Sequence, residues 1–239
     1  MVSVCIATYN GEKYIEEQLS SILKQIEPDD EVIISDDGSK DNTIDIIKSF
    51  NDNRISIVQN HNRHGADGNF ENALKLAKGD IIFMADQDDV WLDNKYEITL
   101  QALADCDLVH SDSIVTDENL NTLYDSFYGM YNNGPGILKN IYRSTYFGSH
   151  MAFKKKILDY SFPFPQTVEI GHDLWIGLVA EMIGTVKFID DKLLLYRRHA
   201  DSHGGYLEHS KRSIWKRILG RIQMIYYVLN FRLRNIKTK

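Results

Sequence analysis

The first 105 residues alternate short β-rich runs with helical repeats, and this alternation limits the fold more than any other feature of the chain. Residues 2–8 (VSVCIAT), 31–36 (EVIISD), 54–60 (RISIVQN) and 80–86 (DIIFMAD) are apolar runs rich in β-branched side chains. Between them Tyr14, Ile15, Leu19, Ile22, Leu23 and Ile26 recur at helical spacing, IDIIKSF gives a second helix and residues 68–77 a third. Asn10 is placed to cap the first helix. Strands joined by helices wind into right-handed βαβ units around a parallel sheet. The expected class is therefore α/β: a Rossmann-like, mainly parallel sheet flanked by helices.

In such sheets ligands bind beyond the carboxyl ends of the strands. Thr8, Tyr9, Asn10 and Gly11 follow the first strand; Asp36, Asp37, Gly38 and Ser39 follow the second; Asp86, Gln87, Asp88 and Asp89 follow the fourth. Three polar, turn-forming clusters thus converge on one edge. The second half is less regular. Residues 107–117 read as a strand, 132–136 as a loop, 146–153 as a strand bent at Gly148, and 171–184 as a helix. TVKFI and KLLLYRRH read as two closing strands.

Asp86, Asp88 and Asp89 repel one another at neutral pH. Hard cations such as Mg²⁺ and Mn²⁺ prefer carboxylate oxygens and take their remaining ligands from phosphate and water. Alternate side chains of an extended segment face one way, so Asp86 and Asp88 can face one ligand together. The cluster suits a metal-bound nucleotide diphosphate; the competing reading is a solvated turn that caps a helix near Asp93. A calcium loop is excluded. Glu97 falls at the twelfth position from Asp86, but Val90 and Trp91 stand where a ligand and a tight-turn glycine are needed. Neither a G-x-G-x-x-G nor a G-x-x-x-x-G-K-[ST] motif is present, which argues against dinucleotide oxidoreductases and P-loop enzymes.

Net charge is −7, which argues against general nucleic-acid binding. Cys5 and Cys106 have no metal or disulfide spacing and are expected to be free, buried thiols in a reducing compartment. VSVCIAT reads as a first strand, not a signal peptide, and no run of about 18 apolar residues predicts a membrane span. Residues 211–239 hold nine Lys or Arg and no Asp or Glu, leaving 18 basic against 34 acidic residues elsewhere. This puts a composition boundary near residue 210. In that segment Ile214, Ile218, Ile222, Ile225 and Leu229 share one helical face, widened by Trp215, Leu219 and Tyr226. A basic amphipathic helix fits a membrane surface; the alternative is a helix packed on the acidic body or on a second subunit.

VSVCIATYNGEKYIEEQLSSIL, VIISDDGSKDNT, NFENALKLAKGDIIFMADQDDVW, GHDLW and YRRH follow one another in the order and spacing of family 2 glycosyltransferases, which residues 1–205 resemble. The resemblance implies a GT-A fold, with residues 1–105 as the nucleotide-sugar-binding half and 106–210 as the acceptor-binding half. It implies inverting transfer of a sugar from a nucleotide diphosphate sugar, a UDP-hexose or dTDP-rhamnose, with Mn²⁺ or Mg²⁺. By the same resemblance, Thr8, Tyr9 and Asn10 border the base and ribose, Asp36 bonds the base with Asp37 beside it, and Gly65 and Asn69 lie near both. Asp86 and Gln87 line the donor, with Asp86 near the ribose. Asp88 is the metal ligand of the D-x-D motif, His199 approaches the metal or the diphosphate, and Arg197 or Arg198 meets phosphate. Asp173 is the catalytic base. Many members carry an acidic pair there, whereas here His172 precedes Asp173.

Displacement at an anomeric carbon needs a base for the acceptor hydroxyl and charge stabilisation for the leaving diphosphate. Asp173 and a cation on Asp88 would supply these. Each residue also has a plainer role open to it. Asp173 suits a helix N-cap, His172 and His199 suit hydrogen-bonded structural positions, Arg197 and Arg198 suit ion pairs, and Trp91 and Trp175 suit packing. The expected function is a hexosyltransferase of bacterial surface-polysaccharide assembly. It would be peripheral on the inner face of the cell membrane and act on a lipid-linked saccharide acceptor. The alternative is a catalytically silent sugar-nucleotide-binding or scaffold protein of a membrane assembly complex.

Overall fold

The structure, a computed structural model, describes residues 1–167, 170–199 and 214–236. The first half runs β1 (Val2–Thr8), α1 (Ile15–Leu23), β2 (Glu31–Asp36), α2 (Thr43–Ser49), β3 (Ile55–Gln59), α3 (Ala66–Leu76), β4 (Ile81–Asp86), β5 (Val90–Trp91) and α4 (Lys95–Leu103). The second half runs β6 (Leu108–Thr116), β7 (Thr122–Tyr124), α5 (Phe127–Tyr131), α6 (Ile137–Tyr142), β8 (Met151–Lys154), α7 (Leu158–Ser161), α8 (His172–Ile183), β9 (Val186–Arg197) and α9 (Ile214–Ile236).

Among the described residues one sheet holds nine strands in the order β3-β2-β1-β4-β8-β6-β9-β5, with β7 against β6. Strands β3, β2, β1 and β4 are parallel, as the βαβ reading requires. The inner strands are apolar on both faces. Val4, Ile6, Val32, Ile34, Phe83 and Ala85 pack with Ile15, Leu19, Ile22 and Ile47 on one side. The alternating Cys5, Ile33, Ile82 and Met84 pack with Phe70, Leu74, Ile176 and Val179 on the other. A period of two is what a strand covered on both faces requires. Burying each large aliphatic chain contributes roughly 1.5–3 kcal/mol. Both cysteines are buried and free.

The second half turns the sheet mixed. Strand β8 lies antiparallel between β4 and β6, and β6 pairs parallel with β9. The two expected closing strands are one, β9, since Asp190 and Asp191 stay within it and its register with β6 shifts at Ser111 to Ile114. Residues 146–153 give only the strand β8, preceded by a 3-10 turn at Gly148–His150. Gly148 is pressed against its neighbours there: a Cβ would sit 3.2 Å from Met84 Cε and 3.4 Å from His172 Nε2. Asn10 does not cap α1. It adopts φ 48°, its N–H donates to Ser39 Oγ, and its side-chain oxygen accepts from Lys40 N, so it ties two loops together. Nor does the acidic turn cap α4, which starts after a left-handed Asn94 with no side-chain cap.

The two-residue strand β5 sets the geometry of the acidic turn. Val90 and Trp91 pair with Leu195 and Leu194 of β9. That pairing carries the end of β9, with Arg197 and His199, onto the turn after β4.

Helix α9 packs by Met224, Tyr227, Val228 and Phe231 against the core that includes Trp175. Its apolar residues Ile218, Ile222, Ile225 and Leu229, with Trp215, Leu219 and Tyr226, are exposed. The helix therefore has two apolar faces, not the single one that the spacing of its isoleucines suggests. No helix among the described residues is long and apolar enough to cross a membrane.

Candidate active site

The carboxyl ends of β1, β2 and β4 lie side by side, because parallel pairing aligns Thr8 with Asp36 and Ala7 with Asp86. Asp36 is buried and its carboxylate is filled from within. Thr8 Oγ1 donates to it at 3.1 Å, Gly38 N at 3.0 Å and Ser39 N at 2.9 Å, and Ser39 Oγ donates as well. Asp37 holds the next loop in place. It accepts from Asn60 Nδ2 at 2.9 Å, His64 Nδ1 at 2.7 Å and Gly65 N at 2.8 Å. Asn69 is buried and donates to the Thr8 carbonyl at 3.0 Å; its amide oxygen meets no donor among the described residues. Gln87 bridges β4 to β1, accepting from Tyr9 N and donating to Tyr9 O. The Tyr9 ring is exposed at the rim. The candidate nucleotide residues thus form one hydrogen-bonded rim.

The three carboxylates of the acidic turn divide their surroundings. Asp89 is buried, accepts from Arg197 N at 3.0 Å, and has its pKa raised well above the usual range by burial and by the neighbouring Asp88 and Asp86. Beneath it lies Lys95, whose ammonium donates to the Ser149 carbonyl at 3.2 Å; burial pushes its pKa down to about 7. Asp86 is pushed up to about 7, first by burial and then by Asp88. Asp88 accepts a 2.7 Å hydrogen bond from His199 Nε2.

Arg197 holds this turn. Arg197 donates to the Asp88 carbonyl at 2.7 Å and the Glu118 carbonyl at 2.8 Å, pairs with Glu17, and lies 4.8 Å over the Tyr14 ring. It is committed to protein partners rather than open to phosphate. Arg198 is buried, with its guanidinium 5.4 Å over the Tyr196 ring. A buried arginine clamp on carbonyls and a carboxylate gives the turn one shape.

Asp173 stands in the first turn of α8, not at its cap, which is Gly171. Its Oδ1 accepts from Leu174 N at 2.7 Å. Burial raises its pKa, against the lowering effect of His172. Two of these electrostatic influences reach across the site: Asp173 raises Asp86 and His172 lowers it. The donor-side carboxylates and the candidate base thus share one field.

Asp67 is the residue that the motifs did not reveal. Its Oδ1 accepts from both the backbone N and the ring Nδ1 of His172, each at 2.8 Å, and its Oδ2 pairs with Arg63 at 3.0 Å. The His172 ring stacks on Phe70 at 4.4 Å. Burial opposes protonation of His172, but Asp67, Asp173 and Asp86 outweigh it and its pKa is raised. This clasp joins the start of α3 to the start of α8. The signal available in the sequence was the unusual His172 alone; its partner lies 105 residues away.

The carboxylate of Asp88 is the kind of hard oxygen donor that Mn²⁺ and Mg²⁺ prefer, and the His199 imidazole lies 2.7 Å from it. Among the described residues no group of three or more His, Cys, Asp or Glu could hold a metal ion. A protein that offers one or two ligands suits a cation whose remaining ligands come from diphosphate and water.

Residues 3–162 match the family model described as Glycosyl transferase family 2. The UDP-Glc:alpha-D-GlcNAc-diphosphoundecaprenol beta-1,3-glucosyltransferase WfgD of Escherichia coli is 33% identical over 133 residues, 56% of this chain and 48% of that protein. The dTDP-rhamnosyl transferase RfbG of Shigella flexneri is 32% identical over 223 residues, 84% of this chain and 73% of that protein. Among solved structures, S. aureus TarS 1-349 in complex with UDP-GlcNAc superposes with a TM-score of 0.73 at 21% identity, covering 94% of this chain and 66% of that one. The mannosyltransferase PcManGT from Pyrobaculum calidifontis, in complex with GDP-Man and Mn²⁺, gives 0.59 at 23% identity, over 80% of this chain and 54% of that one. These structural likenesses establish the fold, GT-A. The chain spans about half the length of WfgD.

Proposed function

The chain belongs to glycosyltransferase family 2, and from that premise we propose that it transfers a sugar, with inversion, from a nucleotide diphosphate sugar to a saccharide acceptor of bacterial surface-polysaccharide synthesis. The observation that carries this reading is the geometry at the carboxyl edge of the sheet, where β4 ends beside β1 at Asp86, His199 bonds Asp88, and the Asp67–His172 clasp ties the start of α8, with Asp173, to α3. One end of that arrangement suits a cation and a diphosphate, and the other holds a carboxylate with raised basicity.

Asp173 is the general base. A carboxylate whose pKa is raised toward the working pH takes a proton more readily than one at its ordinary value. It receives the proton of the acceptor hydroxyl as that oxygen attacks the anomeric carbon. Thr8, Tyr9, Asn10, Asp36, Asp37, Gly65, Asn69 and Gln87 form the base and ribose rim, with Asp36 and Asp37 acting chiefly by fixing its loops. Asp86 faces the ribose. Asp88 and His199 hold Mn²⁺ or Mg²⁺, which when bound supplies positive charge beside the leaving diphosphate. Arg197 acts by holding the acidic turn, and Arg198 is the guanidinium that meets phosphate.

The relatives' names carry UDP-Glc and a diphosphoundecaprenol acceptor in one case and dTDP-rhamnose in the other. They support a uridine or thymidine diphosphate sugar and an acceptor linked to a lipid diphosphate, met at the inner face of the cell membrane. The test is calorimetric titration of UDP and dTDP, with and without Mn²⁺, into wild type, Asp88→Asn and Asp173→Asn. The reading expects Mn²⁺-dependent binding that is lost in Asp88→Asn and kept in Asp173→Asn, with turnover lost in both. Unchanged turnover in Asp173→Asn would refute the assignment of the base.

A further inference from the structure

Helix α9 is apolar on two opposite sides. One side, Met224, Tyr227, Val228 and Phe231, is packed into the core beside Trp175. On the other, Trp215, Ile218, Leu219, Ile222, Ile225, Tyr226, Leu229 and Leu233 are all exposed, Trp215 by 76%. The helix has 23 residues, and its exposed stripe from Trp215 to Leu233 runs for about 27 Å at 1.5 Å per residue. The stripe does not stop at the helix. Arg221 Nη2 donates to the Tyr142 carbonyl and its guanidinium lies 5.3 Å over the Tyr142 ring. Tyr142 is 73% exposed, and Leu138, one helical turn earlier in α6, is 83% exposed.

The charge around this surface is mainly positive, with Asp159, in the groove beside Tyr226 and Arg234, an anion at its edge. Residues 211–239 contain nine cations and no anion, and α6 with its last flanking residue, 137–143, adds Lys139 and Arg143 and no anion. Arg143, Arg232 and Arg234 are exposed. A second copy related by a two-fold axis would set this face against itself, bringing cations against cations with no carboxylate from either segment to pair them. An anionic bilayer offers the complement: headgroups for the arginines and a hydrocarbon boundary for the isoleucines and leucines. Trp and Tyr favour that interface.

We propose that the exposed face of α9, continued by Leu138 and Tyr142 of α6, docks flat on an anionic lipid bilayer. The helix lies in the surface while its opposite face stays locked to the protein. The packed face also abuts Trp175, two residues beyond the candidate base Asp173, so docking fixes the orientation of α8 toward the membrane. This deepens the membrane part of the proposed function and rests on that part only for the choice of leaflet.

The test is cosedimentation of the full chain with vesicles of phosphatidylglycerol and phosphatidylcholine, against phosphatidylcholine alone, while tryptophan emission is followed. Trp91 and Trp175 are already buried, so a shift reports Trp215. Binding is expected to anionic vesicles only, with a blue shift, and to weaken with salt. The Ile222→Glu/Leu229→Glu variant should bind at least tenfold more weakly, and Arg232→Glu should steepen the loss. Their thermal unfolding and UDP binding should match wild type, because these side chains face away from the core. Undiminished binding by the glutamate variant, equal binding to neutral vesicles, or no binding at low salt would each overturn the proposal. If no vesicle binding is found and light scattering shows self-association that Ile222→Glu abolishes, the occupant is a second copy. UDP binding retained without vesicle binding would leave the donor reading intact, and the converse would leave the surface intact.

Discussion

Asp67→Asn tests the clasp between the two halves of the site. In the wild type Asp67 accepts two hydrogen bonds from His172 at 2.8 Å, with side-chain exposures of 29% and 12%. A hydrogen bond to a charged group contributes about 1.5–3 kcal/mol. Asparagine keeps one oxygen acceptor and removes the charge, so the loss is about 1–2 kcal/mol near neutral pH. For a chain of this size that lowers Tm by about 2–8 °C. The effect must depend on pH in one direction. The His172 pKa is raised, so its contribution is complete below the ordinary histidine value and disappears as pH climbs through the raised folded value. Asp67 is lowered, despite burial, by His172 and Arg63; its contribution is present above the ordinary carboxylate value and is lost only as pH falls through the lower folded one. The pairing is therefore intact at about pH 6 and stripped of its charge at about pH 9, on either side of the ordinary histidine value. Arg63 stays charged throughout and contributes equally at both. Thermal unfolding of wild type and Asp67→Asn at the two pH values should show a gap at the lower that at least halves at the higher. An equal gap at both would refute the charged clasp.

Asp173→Asn should lower turnover by about 10²–10⁴-fold with little change in UDP affinity, measured as UDP release from the sugar donor beside calorimetry. Arg197→Lys, which loses the planar fork on the Asp88 and Glu118 carbonyls, should weaken Mn²⁺-dependent UDP binding by about tenfold, or about 1.4 kcal/mol. In Gly177→Ala a Cβ would meet the Tyr146 ring at 2.4 Å, and chemical denaturation should register a loss of about 1–3 kcal/mol.

The parallel half of the fold was legible because its two periodicities are local: Val4, Cys5 and Ile6 alternate on a strand, and Leu19 and Ile22 repeat on a helix. The rim at the strand ends was legible for the same reason, since parallel pairing brings the ends of β1, β2 and β4 to one edge whatever the register. What stayed hidden depends on distant partners. Arg197 reads as a phosphate ligand until β5 pairs with β9 and hands it the Asp88 carbonyl. Asp67 lies in the first turn of α3, just before the helical run legible in the sequence, and only the packing of α3 near α8 gives it His172. Nothing in the sequence around Lys95 signals that it is buried beneath the acidic turn. The two faces of α9 could not be separated by spacing, because apolar residues occupy both.

The crowding of Asp86, Asp88 and Asp89 ends in a measurable proton. Without a cation, the repulsion is relieved in part by His199 on Asp88, by the Arg197 N–H on Asp89, and by Lys95 below. The remainder is relieved by protonation, which is why Asp86 is pushed up to about 7 and Asp89 above its usual range. A divalent cation beside Asp88 favours the ionised form of each neighbour and further disfavours the charge on Lys95. Both changes release protons. Binding of Mn²⁺ with UDP near neutral pH should therefore release protons, and the number released per site is the test. Calorimetry in buffers of different ionisation heat reads this number directly, as the slope of observed heat against buffer heat. Asp86→Asn should reduce the slope while leaving Asp88 to bind. A slope of zero in the wild type would mean that the acidic turn is fully ionised before the cation arrives, and that arginine and histidine alone hold it together.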